Sequence, residues 1–357
     1  STAINERTKR IMAFTTINKS TNYFNSKLWT GTGSTNALTG VGFQPDFTWI
    51  KSRSDSLSHA LFDAVRGTTK VLNSNANSAE YTNTDTLTAF GTDGFTVGSN
   101  TGVNANGETR VAWNWKAGTT SIPSGSSTAP TAVSINATAG FGIYEYTGTG
   151  YTGRTLAHGL NSAPKMMIVK RLNSTRDWGV YHSSLANTEY LELNNTTAKQ
   201  TGNWWGNTTP TSSLIYLGND GATNGGSDPF IMYAFSDVQG FSKMGSYTGN
   251  GNADGTFIYT GFKPAFFLVK RSSDAETWLM YDNKRLGYNA YNNPLQADSA
   301  NSESTGNGTN MEIDLLSNGI KIRGTVNATN SSGSTYIYMA FAEAPLVGTN
   351  NIPANAR

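Results

Sequence analysis

The stretch Phe43-Gln44-Pro45-Asp46-Phe47-Thr48-Trp49-Ile50-Lys51 returns as Leu160-Asn161-Ser162-Ala163-Pro164-Lys165-Met166-Met167-Ile168-Val169-Lys170, and again as Phe262-Lys263-Pro264-Ala265-Phe266-Phe267-Leu268-Val269-Lys270. A recurrence about a hundred residues long is the size of a small domain, not of a solenoid turn. Three copies also provide an internal comparison. What all of them share builds the fold, and what one alone carries is free for function.

Working outward, each proline is preceded by a short aromatic segment running into glycines: Trp29-Thr30-Gly31, Tyr146-Thr147-Gly148 and Tyr247-Thr248-Gly249. Downstream, the register places His59, Trp178 and Trp278 at one position, and Asp63, His182 and Asp282 four residues on. Each unit closes on an aromatic segment, around Trp113, Tyr233 and Tyr338. These segments are short, β-branched or aromatic, and bounded by Gly, Asn, Asp and Ser, as strands and tight turns are. Runs such as Met166 to Val169 and Phe266 to Val269 are apolar on successive residues, which predicts central strands covered on both faces. The expected fold is all-β: three tandem antiparallel β-sandwich repeats, of jelly-roll or concanavalin-like type.

The boundaries follow from composition. Residues 1–27 read as an N-terminal arm, in which Met12 resembles a translation start, and 28–117 as the first repeat. Residues 118–137 read as a Ser/Gly/Pro linker, 138–236 as the second repeat, 237–345 as the third and 346–357 as a polar tail. The junction Ser236-Asp237-Val238-Gln239-Gly240 leaves little slack. The second and third repeats are therefore expected to dock rigidly, with the first joined by the longer strap.

Only 14% of the 357 residues are charged and the net charge is +2, with the basic residues scattered. No phosphate-binding footprint follows, so nucleic acid is not expected as a partner. There are no cysteines, which removes disulfides and thiolate chemistry. No apolar run reaches the ~20 residues of a membrane span, and Ser1 to Arg10 lacks a signal-peptide core, so no membrane insertion is expected.

The chemical inventory points away from catalysis. The three histidines, His59, His158 and His182, come with no nucleophile-elbow motif and read as structural. The Asp63/Arg66 pair is echoed by Asp282/Arg285 but becomes His182/Leu185 in the second copy, which suits an ion pair fixing a turn. Glu145, Glu189, Glu192, Glu312 and Asp314 show no spacing that selects a glycosidase pair. The oxygen-rich loop Asn219 to Asp228 lacks the spaced carboxylates and terminal Glu of a calcium loop and reads as a turn. No metal and no cofactor are expected. Aromatics confined to one copy and set among Asn and Thr, Trp204, Trp205, Tyr288 and Tyr291, are the expected binding residues, with rings that plug the seam between units as the other reading.

So laid out, the chain resembles a family of three-repeat β domains in virion proteins of marine tailed phages, of tail-fibre-like type. The resemblance runs from about Met12 to Pro345. It rests on Gly42 to Lys51, Leu61-Phe62-Asp63-Ala64-Val65-Arg66-Gly67, Ser236 to Gly251 and Tyr336-Ile337-Tyr338-Met339-Ala340-Phe341-Ala342-Glu343. It implies a non-enzymatic structural protein on the virion surface, in a tail fibre or tail appendage, contacting other virion proteins and a host surface glycan. A homo-oligomer, a trimer by preference, is expected, because three similar units can mimic a trimer or sit on a threefold axis. A capsid decoration protein and a carbohydrate-active enzyme are the alternatives.

Overall fold

Three proline-led strands, Phe47–Ser52, Met166–Arg171 and Phe262–Arg271, each lie near the middle of a large antiparallel sheet. The computed structural model describes residues 13–303 and 310–353. The six-stranded first sheet runs in the order Phe24–Thr30, Thr109–Trp115, Phe47–Ser52, Ala60–Asp63, Gly67–Leu72, Tyr81–Thr82. The third runs Ser242–Thr248, Thr335–Pro345, Phe262–Arg271, Leu279–Asp282, Leu295–Gln296. The second keeps the same order over Phe141–Thr147, Pro229–Phe235, Met166–Arg171, Gly179–His182, Glu189–Glu192 and Gln200–Thr201, and adds Ala132–Asn136 outside Phe141–Thr147.

Each large sheet has a small companion: Asn36–Thr39, Gly94–Val97 and Leu87–Gly91; then Arg154–Ala157 and Leu214–Leu217; then Phe257–Tyr259, Gly319–Ile322 and Ile313–Leu316. The unbroken apolar runs are thereby explained. Alternate side chains of Met166–Arg171 divide between two cores, Met166 and Ile168 in one shared with the other large sheets, Met167 and Val169 in one shared with the small sheet. The expectation of strands covered on both faces holds, and period-2 geometry is the reason.

The shared core is aromatic and joins all three large sheets. Phe47 stacks on Tyr233 with centroids 4.2 Å apart, Phe24 on Phe341 at 5.1 Å, and Trp115 meets Phe235 and Phe341 edge-on. Main-chain bonds close the ring outside it. Glu80 N donates to Leu172 O and Arg176 N to Asn77 O, both at 2.9 Å, from first sheet to second and back. Lys199 N donates to Ser272 O at 3.0 Å and Glu276 N to Thr196 O at 2.8 Å, joining second and third. Glu303 N donates to Arg53 O at 2.8 Å, beside an Arg53–Glu303 ion pair of 2.5 Å, joining third and first.

Two boundary expectations are corrected here. Residues 132–136 are an edge strand rather than linker, and Ser134 Oγ and Ala117 N both bond the buried Asp46 carboxylate. The first sheet is thus joined directly to the second, and its aromatic face is buried in the shared core. The arm is likewise part of the body from Ile17 onward: Ile17 is buried, and Phe24–Thr30 pairs with Thr109–Trp115. Thr349 N donates to Asn18 Oδ1 at 2.6 Å and Phe14 N to Asn351 Oδ1 at 2.8 Å, which ties residues of the expected tail to the arm. Met12 lies outside the described residues.

A buried asparagine recurs beside each glycine-rich turn. Asn104, Asn224 and Asn330 accept from the main-chain N–H of Thr32, Thr149 and Asn250, and donate to the carbonyls of Gly98, Gly218 and Gly324. The turn glycines Gly31, Gly148 and Gly249 pass so close that an added Cβ would stand 2.0, 2.1 and 2.4 Å from a main-chain oxygen. Close backbone approach, not turn flexibility, demands glycine there.

Candidate functional site

The recurring polar positions are consumed in joining the sheets. Asp63 Oδ1 accepts from the amides of Val65 and Arg66, and its Oδ2 from Arg66 Nε at 2.5 Å and from the Tyr233 hydroxyl of the second sheet at 2.8 Å. Asp282 repeats this with Lys284, Arg285 and, from the first sheet, Trp113. In the second sheet His182 stands in for the acid: Nδ1 accepts from Ser184 N at 3.1 Å, which leaves Nε2 to donate to Tyr338 O of the third sheet at 3.1 Å.

The position four residues earlier works the same way. Trp178 Nε1 donates to the carbonyls of Asn73 and Ala76, and Trp278 Nε1 to Glu192 O. His59 accepts from Trp49 Nε1 at 2.8 Å, so its Nε2 donates to Gln296 O. Burial lowers the pKa of His59 to about 3 and of His182 to about 4, and depresses that of His158. Neutral, doubly bonded imidazoles of this kind hold structure and are poor proton shuttles at neutral pH.

A cleft of about 520 Å³ opens between the first and second sheets beside Gln44, Asp46, Lys116, Ile122 and Thr131. It contains one carboxylate among its described lining residues, and both oxygens of Asp46 are bonded to the protein. In the oxygen-rich loop, Asp228 Oδ1 is held by Arg171 at 2.7 Å and by Asn173, and Asp220 Oδ1 accepts from Ala222 N within its own turn. Those acids build the turn that the sequence suggests.

Of the four aromatics expected to bind, three are enclosed. Trp204 is 5% exposed and stacks on Tyr190 at 3.7 Å, and Trp205 is 0% exposed with its edge toward Tyr181. The correction has a structural cause. The second small sheet has two strands where the others have three, and the indoles fill the core ahead of Leu214–Leu217, where the others place a third strand. Tyr291 is 7% exposed and exchanges main-chain bonds with Ile313. Tyr288 alone is open, at 67%. The four do not converge.

Sequence reasoning missed a different pair. Phe257 and Tyr259 flank the buried Ile258 on one strand and point outward, 43% and 50% exposed. The positions equivalent in register are Ala37 and Thr39 in the first small sheet, and Thr155 and the buried Ala157 in the second, so the rings belong to one copy only. Tyr259 also walls a cleft of about 370 Å³ with Phe14, Asp237, Gln239, Lys243 and Gly261. Lys243 Nζ lies 5.2 Å from the Tyr259 ring centre and donates to Tyr259 O at 2.8 Å. Phe257-Ile258-Tyr259 reads in sequence like a doubly covered strand. Its register against Ala37 and Thr39 was the available signal.

This architecture defines an all-β protein whose large antiparallel sheets share one aromatic core and whose copy-specific rings stand on an outer sheet. The chain belongs to the family described as a domain of unknown function, DUF7483, which it matches over residues 19–345. No curated protein and no solved structure matches it.

Proposed function

We propose that the protein is a non-enzymatic structural component of a phage virion, exposed on the particle as part of a tail fibre or tail appendage that contacts the host surface. Its finer architecture is read as three tandem antiparallel β-sandwich repeats, each a large sheet on its small companion, closed into a pseudo-threefold body. One observation carries the functional reading. The acids and histidines at the recurring positions are spent on clasps between sheets, while the unshared rings Phe257 and Tyr259 are held outward on a rigid strand. That division suits a scaffold that presents a contact surface better than a catalyst. Because the clasps close within one chain, a trimer of chains would form through outer faces.

Gold-labelled antibody against the purified protein, applied to particles of the encoding phage, tests location. Label on the tail is expected. Label over the head shell would replace this reading by that of a decoration protein, and particles without label would overturn both. Hydrolysis of host polysaccharide by the purified chain would favour an enzyme instead.

A further inference from the structure

We infer that the outer face of the third small sheet, with the cleft beside Tyr259, is a saccharide-binding site for a neutral pyranose chain displayed on a bacterial surface. The proposal rests on the host-contact reading above and deepens it. Phe257 and Tyr259 are two residues apart on one strand, so their side chains leave the same face roughly 6.7 Å apart. Each ring lies over a glycine. A Cβ at Gly319 would come within 2.8 Å of Phe257 Cζ, and one at Gly261 within 3.5 Å of the Tyr259 hydroxyl. Phe257 therefore occupies room that a side chain at Gly319 would need, Tyr259 rests in ordinary contact range over Gly261, and both rings keep an outer surface open.

The surroundings select the ligand. Two half-exposed rings offer roughly 200 Å² of apolar surface together, less than the patches that usually mark protein interfaces. Around them polar groups crowd into the cleft. Asp237 uses Oδ1 on Met244 N at 2.8 Å and leaves Oδ2 without a bond among the described residues, and the Gln239 amide is similarly free. Lys243 is pinned by Tyr259 O and keeps further N–H groups for a ligand. A pyranose has an apolar C–H face for a ring and hydroxyls that both donate and accept. One acid, one amine and one amide suit such hydroxyls, whereas a phosphate or a polyanion would meet Asp237 as a repulsion.

The test is a microarray of bacterial surface oligosaccharides, including lipopolysaccharide O-chains, probed with the full chain and its Phe257→Ala, Tyr259→Ala, Gln239→Ala and Tyr288→Ala variants. Wild-type binding is expected, with at least about tenfold loss on removing either Phe257 or Tyr259, a smaller loss for Gln239→Ala, and none for Tyr288→Ala. The substituted side chains are exposed, so unchanged thermal unfolding shows that the variants fold. No binding at millimolar oligosaccharide, or binding indifferent to both ring variants, overturns the site. Particle labelling separates the two proposals: label on the tail with a glycan-silent protein sinks the site alone, and ring-dependent glycan binding by a protein absent from the particle sinks the virion reading alone.

Discussion

The indole N–H of Trp113 donates to Asp282 Oδ2 at 3.0 Å, joining the first and third sheets across 169 residues of chain. Tyr233 to Asp63 and His182 to Tyr338 O join the other two pairs of sheets from the same positions. Asp282 also neutralises buried Arg285, through a contact of 2.6 Å. Replacing Asp282 by Ala therefore removes the close counter-charge of a buried guanidinium, leaving it Glu303 at 3.8 Å, and the acceptor of a buried indole N–H. A loss of about 3–5 kcal/mol is expected, read as a fall in urea midpoint. Trp113→Phe, which leaves the ion pair intact, is expected to cost less.

Acid should loosen the same ring. The folded pKa of His182, about 4 through burial, lies below the ordinary histidine value of 6.5, so between those values the unfolded chain binds more protons. Its contribution is complete above about pH 6.5 and is lost as pH falls toward 4. At the limit this is worth roughly 3 kcal/mol. Denaturation curves between pH 7 and 4 should show the decline, less steeply in His182→Gln.

Alkali should act in the opposite direction. Lys51, Lys170 and Lys270 close the three proline-led strands, each buried with its ammonium on main-chain carbonyls. Burial lowers all three to about 8, so the unfolded chain holds more protons from pH 8 up to the ordinary lysine range. Stability should rise between pH 8 and 9.5, by about 1.4 kcal/mol per pH unit for each proton difference. Lys170→Met should show a smaller rise over this range, measured by urea unfolding.

Trp205→Ala is expected to cost about 3–5 kcal/mol in thermal or chemical unfolding, as a large ring removed from a closed core does. Tyr288→Ala should change stability by no more than about 0.5 kcal/mol. Equal effects would contradict the opposite environments of the two residues.

Gly148→Ala puts a methyl group 2.1 Å from Gly225 O. The expected loss is about 1–3 kcal/mol in urea, as in overpacked interiors. Gly153→Ala, where no atom lies within 4 Å of the added carbon, has only its positive φ of 78° to oppose it and should cost less.

Much of this molecule was legible in its chain. Doubly apolar runs such as Met166 to Val169 announced central strands, and the loss of Asp63/Arg66 at His182/Leu185 marked those positions as structural, because period-2 geometry and turn chemistry act over a few residues. The same local signals could not tell Trp205 from Tyr259. Both stand in short aromatic segments unique to one copy, yet Trp205 fills the core of a two-stranded small sheet and Tyr259 faces outward from a three-stranded one. Nor could they show that Asp282 would meet Trp113. The sequence by itself determined the strands, their turns and which positions recur. Only the tertiary structure decided which face of each strand another sheet covers, because burial depends on what docks from residues far away in the chain.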